Sequence, residues 1–439
     1  MKSLEKLLVE AAKNAAAEAV HTRRLLHRHP EEGWMEYFAS SLVATRLQAL
    51  GYEVLVGDEV TAEPRLGLPE PEVMEAAYER ALAAGADPDL CEKMRGGKTG
   101  VVGVLRLGEG PTVALRFDLD ALPLTESRVP DHYPLQEGFA SEWCESMHAC
   151  GHDGHTAIGL GVAAVLAAHR EHLGGTLKLL FQPAEEGVRG AQAMIQKGHL
   201  DDVDVLLGAH IQSNAHYHGK LIPCARGALA TTKLDVHLRG RAAHAGSAPE
   251  EGHNVMRGVA AIIQGLYGIP RHSGGASRVN VGTVRAGSGR NVVADDAKME
   301  MEVRGATTDI NTYMEDYARR IIEGACLMHD LHYEIDVRGR AQSLESDAPL
   351  VALVRAVVEN ALPPGTLSDT EEQVLVDSED ISLMMARVQS HGGQAAFMRL
   401  LTDMTDVPHA HAFDFNEDVL ETGISVFSLV VASILKKNH

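Results

Sequence analysis

The sequence predicts an α/β protein of two domains: a mixed, largely parallel sheet flanked by helices, interrupted by an inserted ferredoxin-like βαββαβ unit. Three observations predict it. Between residues 99 and 211, strand-like and helix-like stretches alternate as β-α-β-α-β, the rhythm of a parallel sheet with right-handed crossovers. Between 229 and 341 the order becomes strand, helix, strand, strand, helix, strand, that of a split βαβ unit. The third is length, since 439 residues exceed what one hydrophobic core usually holds. The expected division is 1–227 with 342–439 for the larger domain and 228–341 for the smaller.

Residues 3–29 read as an amphipathic helix stopped by Pro30, and 35–50 as a second helix ended by Gly51. A short strand follows at 52–56. Residues 60–98 are Pro- and Gly-rich at first and helix-like from Val73 to Ala84, which reads as a surface insertion. VVGVLRL and PTVALRFDLDA are strands rich in β-branched residues, the second ending at Asp118 and Asp120. A helix over 153–172, rich in Ala and Gly, leads to a buried strand, TLKLLFQPA, that ends at Glu185-Glu186. A helix to about Lys197 and the strand VDVLLGAHI bring the chain to His210. In the smaller unit, strands at 231–240, 277–287, 296–305 and 332–340 enclose helices at 251–268 and 308–329. Helices at 349–361 and about 378–390, a loop with His409 and His411, and a last helix from Asn416 complete the chain.

Composition narrows the partners. With 45% hydrophobic and 23% charged residues the chain is of ordinary soluble globular type. A formal net charge of −21 argues against nucleic acid and anionic membranes. Five scattered cysteines form no disulfide framework and fit a reducing cytoplasm. The N-terminal stretch is charged throughout, without the apolar centre of a signal peptide, and the apolar run at 426–435 is too short to span a bilayer.

The chemistry concentrates at Met147–His155, MHACGHDGH, where three histidines, a cysteine and an aspartate fall within nine residues at a strand–helix junction. Thiolate and imidazole are ligands of borderline transition metals, and Cys150 and His152 are the best candidates. His148, Asp153 and His155 read as supporting groups. In sheets of this class ligands gather at the carboxyl ends of strands, where Asp118, Asp120, Glu185, Glu186 and His210 fall. Adjacent residues of an extended segment point in opposite directions, so one carboxylate of the Glu185-Glu186 pair is free to bind metal and the other to act as general base. Cys150, His152, Glu186, His210 and His409 make five ligands. If the thiolate bridges, each of two metals has three protein bonds and an open position. In the smaller domain, His244 in RAAHAG reads as an electrophile for a substrate carbonyl. Arg290 and Asn291 in GSGRN, with Arg304 and Lys233 on neighbouring strands, read as carboxylate-binding groups.

Together MHACGHDGH, FQPAEEG, GAH, AAHAGSAPEEGHN and GSGRNVV resemble the metallopeptidase family of aminoacylases, hippurate hydrolases and plant auxin-conjugate amidohydrolases. Arg24-x-x-His27-x-x-Pro30-Glu31 and RFDLDALP fit it too, and the likeness spans essentially the whole chain. The resemblance implies two divalent ions, manganese or zinc, on Cys150, His152, Glu186, His210 and His409. It implies Glu185 as general base and acid, and His244 reaching the site of a partner copy, since members dimerise through the inserted lid. Asn291 and Arg304 match positions that hold the substrate's carboxylate or carbonyl. The late ligand departs from the family pattern, standing in His409-Ala-His411-Ala. Its spacing to Phe413 favours His409, with His411 as the alternative. The implied activity is cleavage of an N-acyl amino acid, of aromatic acyl-glutamate or acyl-aspartate type, by a homodimer or by a mixed assembly with a related subunit.

Overall fold

The computed structural model describes residues 3–143 and 145–437. An amphipathic helix, α1 (Leu4–Arg28), and a largely buried one, α2 (Tyr37–Ala49), precede a short strand, β1 (Glu53–Val56). Helices α3 (Pro71–Ala83) and α4 (Pro88–Lys93) follow, each with proline in its first turn, where a missing N–H costs nothing. The region expected as a surface insertion is thus part of the core: Met74, Tyr78, Leu90 and Met94 are buried with residues of α2. Strands β2 (Val101–Arg106) and β3 (Thr112–Asp118) and the short helix α5 (Tyr133–Gln136) lead to α6 (His152–Ala168).

Helix α6 is the structural centre. Fifteen of its residues are buried, including His152, Asp153 and His155, and it packs on α1, the C-terminal helix and β3. The scarcity of large side chains along it lets three neighbours approach closely. Beyond it come β4 (Thr176–Gln182), α7 (Ala191–Ile195), β5 (Val205–Ser213), β6 (Leu221–Ile222) and β7 (Ala225–Arg226). The helix expected to reach Lys197 is only five residues long, because turns occupy the chain before it.

A second sheet is built from β8 (Ala230–Arg239), β9 (Ser277–Ala286), β10 (Asp296–Gly305) and β11 (His332–Ala341), with α8 (Val255–Tyr267) and α9 (Thr308–Met328) between them. Its order, β11-β8-β10-β9, is fully antiparallel, and its apolar face closes on the two helices. The chain then returns through α10 (Ala348–Ala361), β12 (Gln373–Val374), α11 (Ile381–Ser390), β13 (Gln394–Thr402) and α12 (Asp418–Leu435).

The larger sheet has the order β1-β2-β4-β3-β5-β13-β6. Its middle strands β4, β3, β5 and β13 are parallel, while β1, β2 and β6 pair antiparallel at the edges. One face is covered by α1, α2, α6, α10 and α12, the other by α7 and α11. Strand β13 falls where the sequence pattern predicts only a loop; it inserts beside β5 and sets Arg399 opposite His210. Helix α12 is long and apolar enough by composition to cross a membrane, unlike the shorter run read from the sequence, but most of it is buried inside the protein as a core helix.

Candidate metal centre

The residues singled out in the sequence come from five segments. Cys150 closes the loop before α6. Gly151 takes φ 89°, a left-handed conformation open to glycine at no steric cost, and this turn starts the helix at His152. The positive end of α6 therefore faces the Cys150 sulfur, a setting that favours a thiolate. His210 lies inside β5, which runs on to Ser213, and not at a strand end as expected.

Glu185 and Glu186 also depart from expectation. They sit in a tight turn and not in an extended segment: Val188 N–H donates to Glu185 O at 2.7 Å. Both carboxylates reach the cluster as a result. Ala184 and Val188 take φ of 51° and 58°, a strained state for residues with a Cβ. Surrounding groups impose it. Glu36 Oε1 accepts Ala184 N–H at 2.7 Å, and Asp120 accepts the N–H groups of Glu185 and Glu186 at 3.1 and 2.9 Å.

Cys150, His152 and His210 bring one donor atom each to within 4.8 Å of one another, and Cys150, Glu186 and His409 do the same. Cys150 belongs to both groups. Cys150 Sγ is 3.4 Å from His210 Nε2, and His409 Nε2 is 3.4 Å from Glu186 Oε1. Each histidine is oriented from behind. His152 Nδ1 donates to the Asp120 carbonyl at 2.8 Å, and His210 Nδ1 to the Ile211 carbonyl at 2.7 Å. His152 Nε2 and Glu186 Oε1 are buried with no hydrogen-bond partner. Buried polar atoms left unpaired are costly, and two of them converging with a thiol and two further imidazoles fit a cation. The donor set, one sulfur, three imidazoles and a carboxylate, suits divalent zinc or manganese.

His155 is engaged at both nitrogens, donating to Asp118 Oδ1 at 2.6 Å and accepting Ile211 N–H at 2.9 Å, so it cannot ligate. Asp153 binds Arg23 and His27, each at 2.9 Å. His148 is buried beside His27, and burial pulls it down to about 4. His411 points away from the cluster and hydrogen-bonds the Thr125 carbonyl at 2.6 Å. His409 takes φ 68° and is fixed by its N–H to the Ala149 carbonyl at 2.7 Å.

Charge in the site is arranged in layers. Burial pushes Glu185 well above the usual carboxylate range, reinforced by Glu379, Asp380 and Glu186. Burial also raises the Cys150 thiol, with Glu186 adding to it. It opposes the charged form of His152, yet Asp118 and the Asp120 hydrogen bond outweigh it and hold that histidine well above its ordinary value. Beneath lies a network that the sequence pattern does not reveal. Arg116 bridges Asp118, Gln182 and Asp380, while Arg399 binds Glu379 at 3.2 Å. Its signal is present only in part: RFDLD and SED are visible motifs, but Arg399 belongs to β13, which carries no strand pattern of its own.

The remaining residues are on the second sheet. His244 is exposed, its Nδ1 accepting Gly246 and Ser247 N–H groups within its own loop at 3.1 and 3.0 Å. Arg290 and Asn291 are exposed in the loop between β9 and β10. Arg304 on β10 pairs with Glu302, and the charge of Lys233 on β8 is felt at His409. The structure thus brings Lys233 to the cluster and leaves His244 away from it in this chain.

A parallel sheet with donors at one end of its central strands and a shared thiol defines a metal-dependent hydrolase of amide bonds. The chain belongs to peptidase family M20/M25/M40, whose model matches residues 114–433. It is 42% identical over 427 residues to the indole-3-acetyl-aspartic acid hydrolase of Enterobacter agglomerans, covering 96% of this chain and 97% of that one. It is equally 42% identical over 425 residues to one of the subunits of the p-aminobenzoyl-glutamate hydrolase of Escherichia coli, covering 94% and 95%. The crystal structure of an aminobenzoyl-glutamate utilization protein from Klebsiella pneumoniae superposes with a TM-score of 0.84 at 36% identity, over 97% of this chain and 98% of that one.

Proposed function

We propose that the protein hydrolyses the amide bond of N-acyl amino acids, first of all aminobenzoyl-glutamate, to the aromatic acid and the free amino acid. The observation that carries this is the pair of three-donor groups sharing Cys150, with Glu185 beside them, 4.0 Å from His152 Nε2. Indole-acetyl-aspartate is the second substrate reading, supported by a relative of the same identity. A non-catalytic partner subunit is disfavoured, because every expected ligand and the base are present.

Cys150, His152 and His210 would hold one ion and Cys150, Glu186 and His409 the other, manganese or zinc. Two divalent ions there would polarise the scissile carbonyl and acidify the attacking water. Glu185 takes the proton from that water and passes it to the leaving amine. Asp120 and Glu36 hold the Glu185 turn in register, and Lys233, Arg290, Asn291 and Arg304 meet the substrate's carboxylates and carbonyl. Residues 228–341 act as a lid through which two copies pair, so that His244 of one copy steadies the oxyanion in the other's site. A mixed assembly with a related subunit is the alternative. A cytoplasmic setting belongs to the same reading and is supported by the four described cysteines, all free; Cys144 lies outside the described residues.

Glu185→Ala is the test. The variant keeps both ions by elemental analysis and loses about 10²–10⁴-fold in kcat on aminobenzoyl-glutamate. Turnover at the wild-type rate by a folded, metal-loaded variant would remove Glu185 from the role.

A further inference from the structure

The face of the lid sheet turned away from α8 and α9 carries two adjoining cavities. One, of about 610 Å³, is lined by Arg271, Arg278 and Arg304, with Glu302, Asn280 and Val376. The other, of about 390 Å³, shares Asn280 and Glu302 and reaches Lys233. They form one groove across β8, β10 and β9.

Its charge pattern is unusual for a chain of net charge −21. Arg304 and Arg278 are directly opposite on neighbouring strands. Like charges so placed repel and destabilise a sheet unless an anion lies between them. Glu302 answers only part of this, binding Arg304 at 2.9 and 3.1 Å. The Arg278 guanidinium has no hydrogen-bond or ion-pair partner among the described residues, and Arg271 gives one N–H to the Ser277 carbonyl at 3.0 Å but meets no acid. Three guanidinium groups thus share one carboxylate.

The groove also has a defined pitch. Lys233 is the register partner of Glu302, and Arg304 lies two residues further along the same face of β10. At ~3.4 Å per residue the two cationic rows are about 7 Å apart. Lys233 is at the end near His409. Strand β11 fixes that end against the Glu185 turn through Arg340 N–H to the Val188 carbonyl, 2.8 Å. A molecule with its scissile carbonyl at the cluster meets Lys233 first and the arginines next.

We propose that Arg271, Arg278 and Arg304 form a second carboxylate subsite, which selects N-acyl amino acids with an acidic side chain over neutral ones while Lys233 takes the nearer carboxylate. Guanidinium groups suit this role because their paired N–H groups match a carboxylate's two oxygens. The assignment rests on the hydrolytic function proposed above and names the residues that set its preference.

The test compares benzoyl-glutamate with benzoyl-alanine on the manganese-loaded enzyme. Arg278→Gln lowers the ratio of their kcat/KM values about tenfold, through KM, and Arg278→Lys restores part of it. A ratio within about twofold of wild type, or an equal fall in Arg285→Gln on the same strand, overturns the subsite. Calorimetric binding of glutarate gives a readout free of turnover. It weakens about tenfold in Arg278→Gln, and unchanged binding overturns the subsite. Should glutarate binding depend on Arg278 while wild type cleaves neither benzoyl compound, the subsite stands and the hydrolytic reading falls.

Discussion

Which nitrogen of each ring is free decides what the histidines can do. His152 and His210 each spend Nδ1 on a backbone carbonyl, leaving Nε2 toward Cys150, whereas His155 spends both. Sequence spacing can rank these residues but cannot say which atoms are spoken for. The same holds for His409 and His411: two residues apart, they differ because one backbone takes positive φ and is tied to Ala149 while the other ring is tied to Thr125. Without metal, Cys150 is held as a thiol chiefly by burial, and His152 keeps its proton because Asp118 and Asp120 outweigh burial. Ligation needs thiolate and neutral imidazole, so metal uptake expels protons. The affinity for zinc therefore falls as the pH drops through neutrality, and calorimetry in buffers of different ionisation enthalpy shows more than one proton released per pair of ions. Uptake independent of pH between about 6 and 8 would contradict this arrangement.

Among the elements, most of the fold is legible because its signals are local. Period and punctuation by Gly and Pro mark the six elements of the lid almost to the residue, from β8 to β11. Strand β13 is not legible: QAAFMRLLT is a short apolar run without alternation, and only its parallel pairing with β5 makes it a strand. The Glu185 turn escapes a sequence reading for a related reason, since its form depends on Glu36 and Asp120, which lie 148 and 65 residues away in sequence. Gly190 closes that turn, and a Cβ there would stand 1.6 Å from the Pro183 carbonyl oxygen. Gly190→Ala therefore shifts the backbone that carries both glutamates. We expect a loss of roughly 2–4 kcal/mol in thermal or denaturant unfolding and fewer than two metals per chain. A variant with full metal content and wild-type stability would show that the turn tolerates movement.

At the scale of the molecule, two sheets with separate cores meet where β11 touches the Glu185 turn. His244 sits apart from the donor cluster in its own chain, so the proposed function requires a second copy to deliver it. Mixing two inactive variants, Glu185→Ala and His244→Ala, then regenerates one complete site per mixed dimer and restores up to about a quarter of wild-type activity. No recovery after subunit exchange would confine His244 to a structural role. The central claim is that Cys150 joins two donor groups into one two-metal site. The most direct measurement is anomalous diffraction from a crystal grown with manganese. The account predicts two peaks, one beside His152 and His210 and one beside Glu186 and His409, with Cys150 Sγ between them. A single peak, or a peak at His148 or His411, would contradict it.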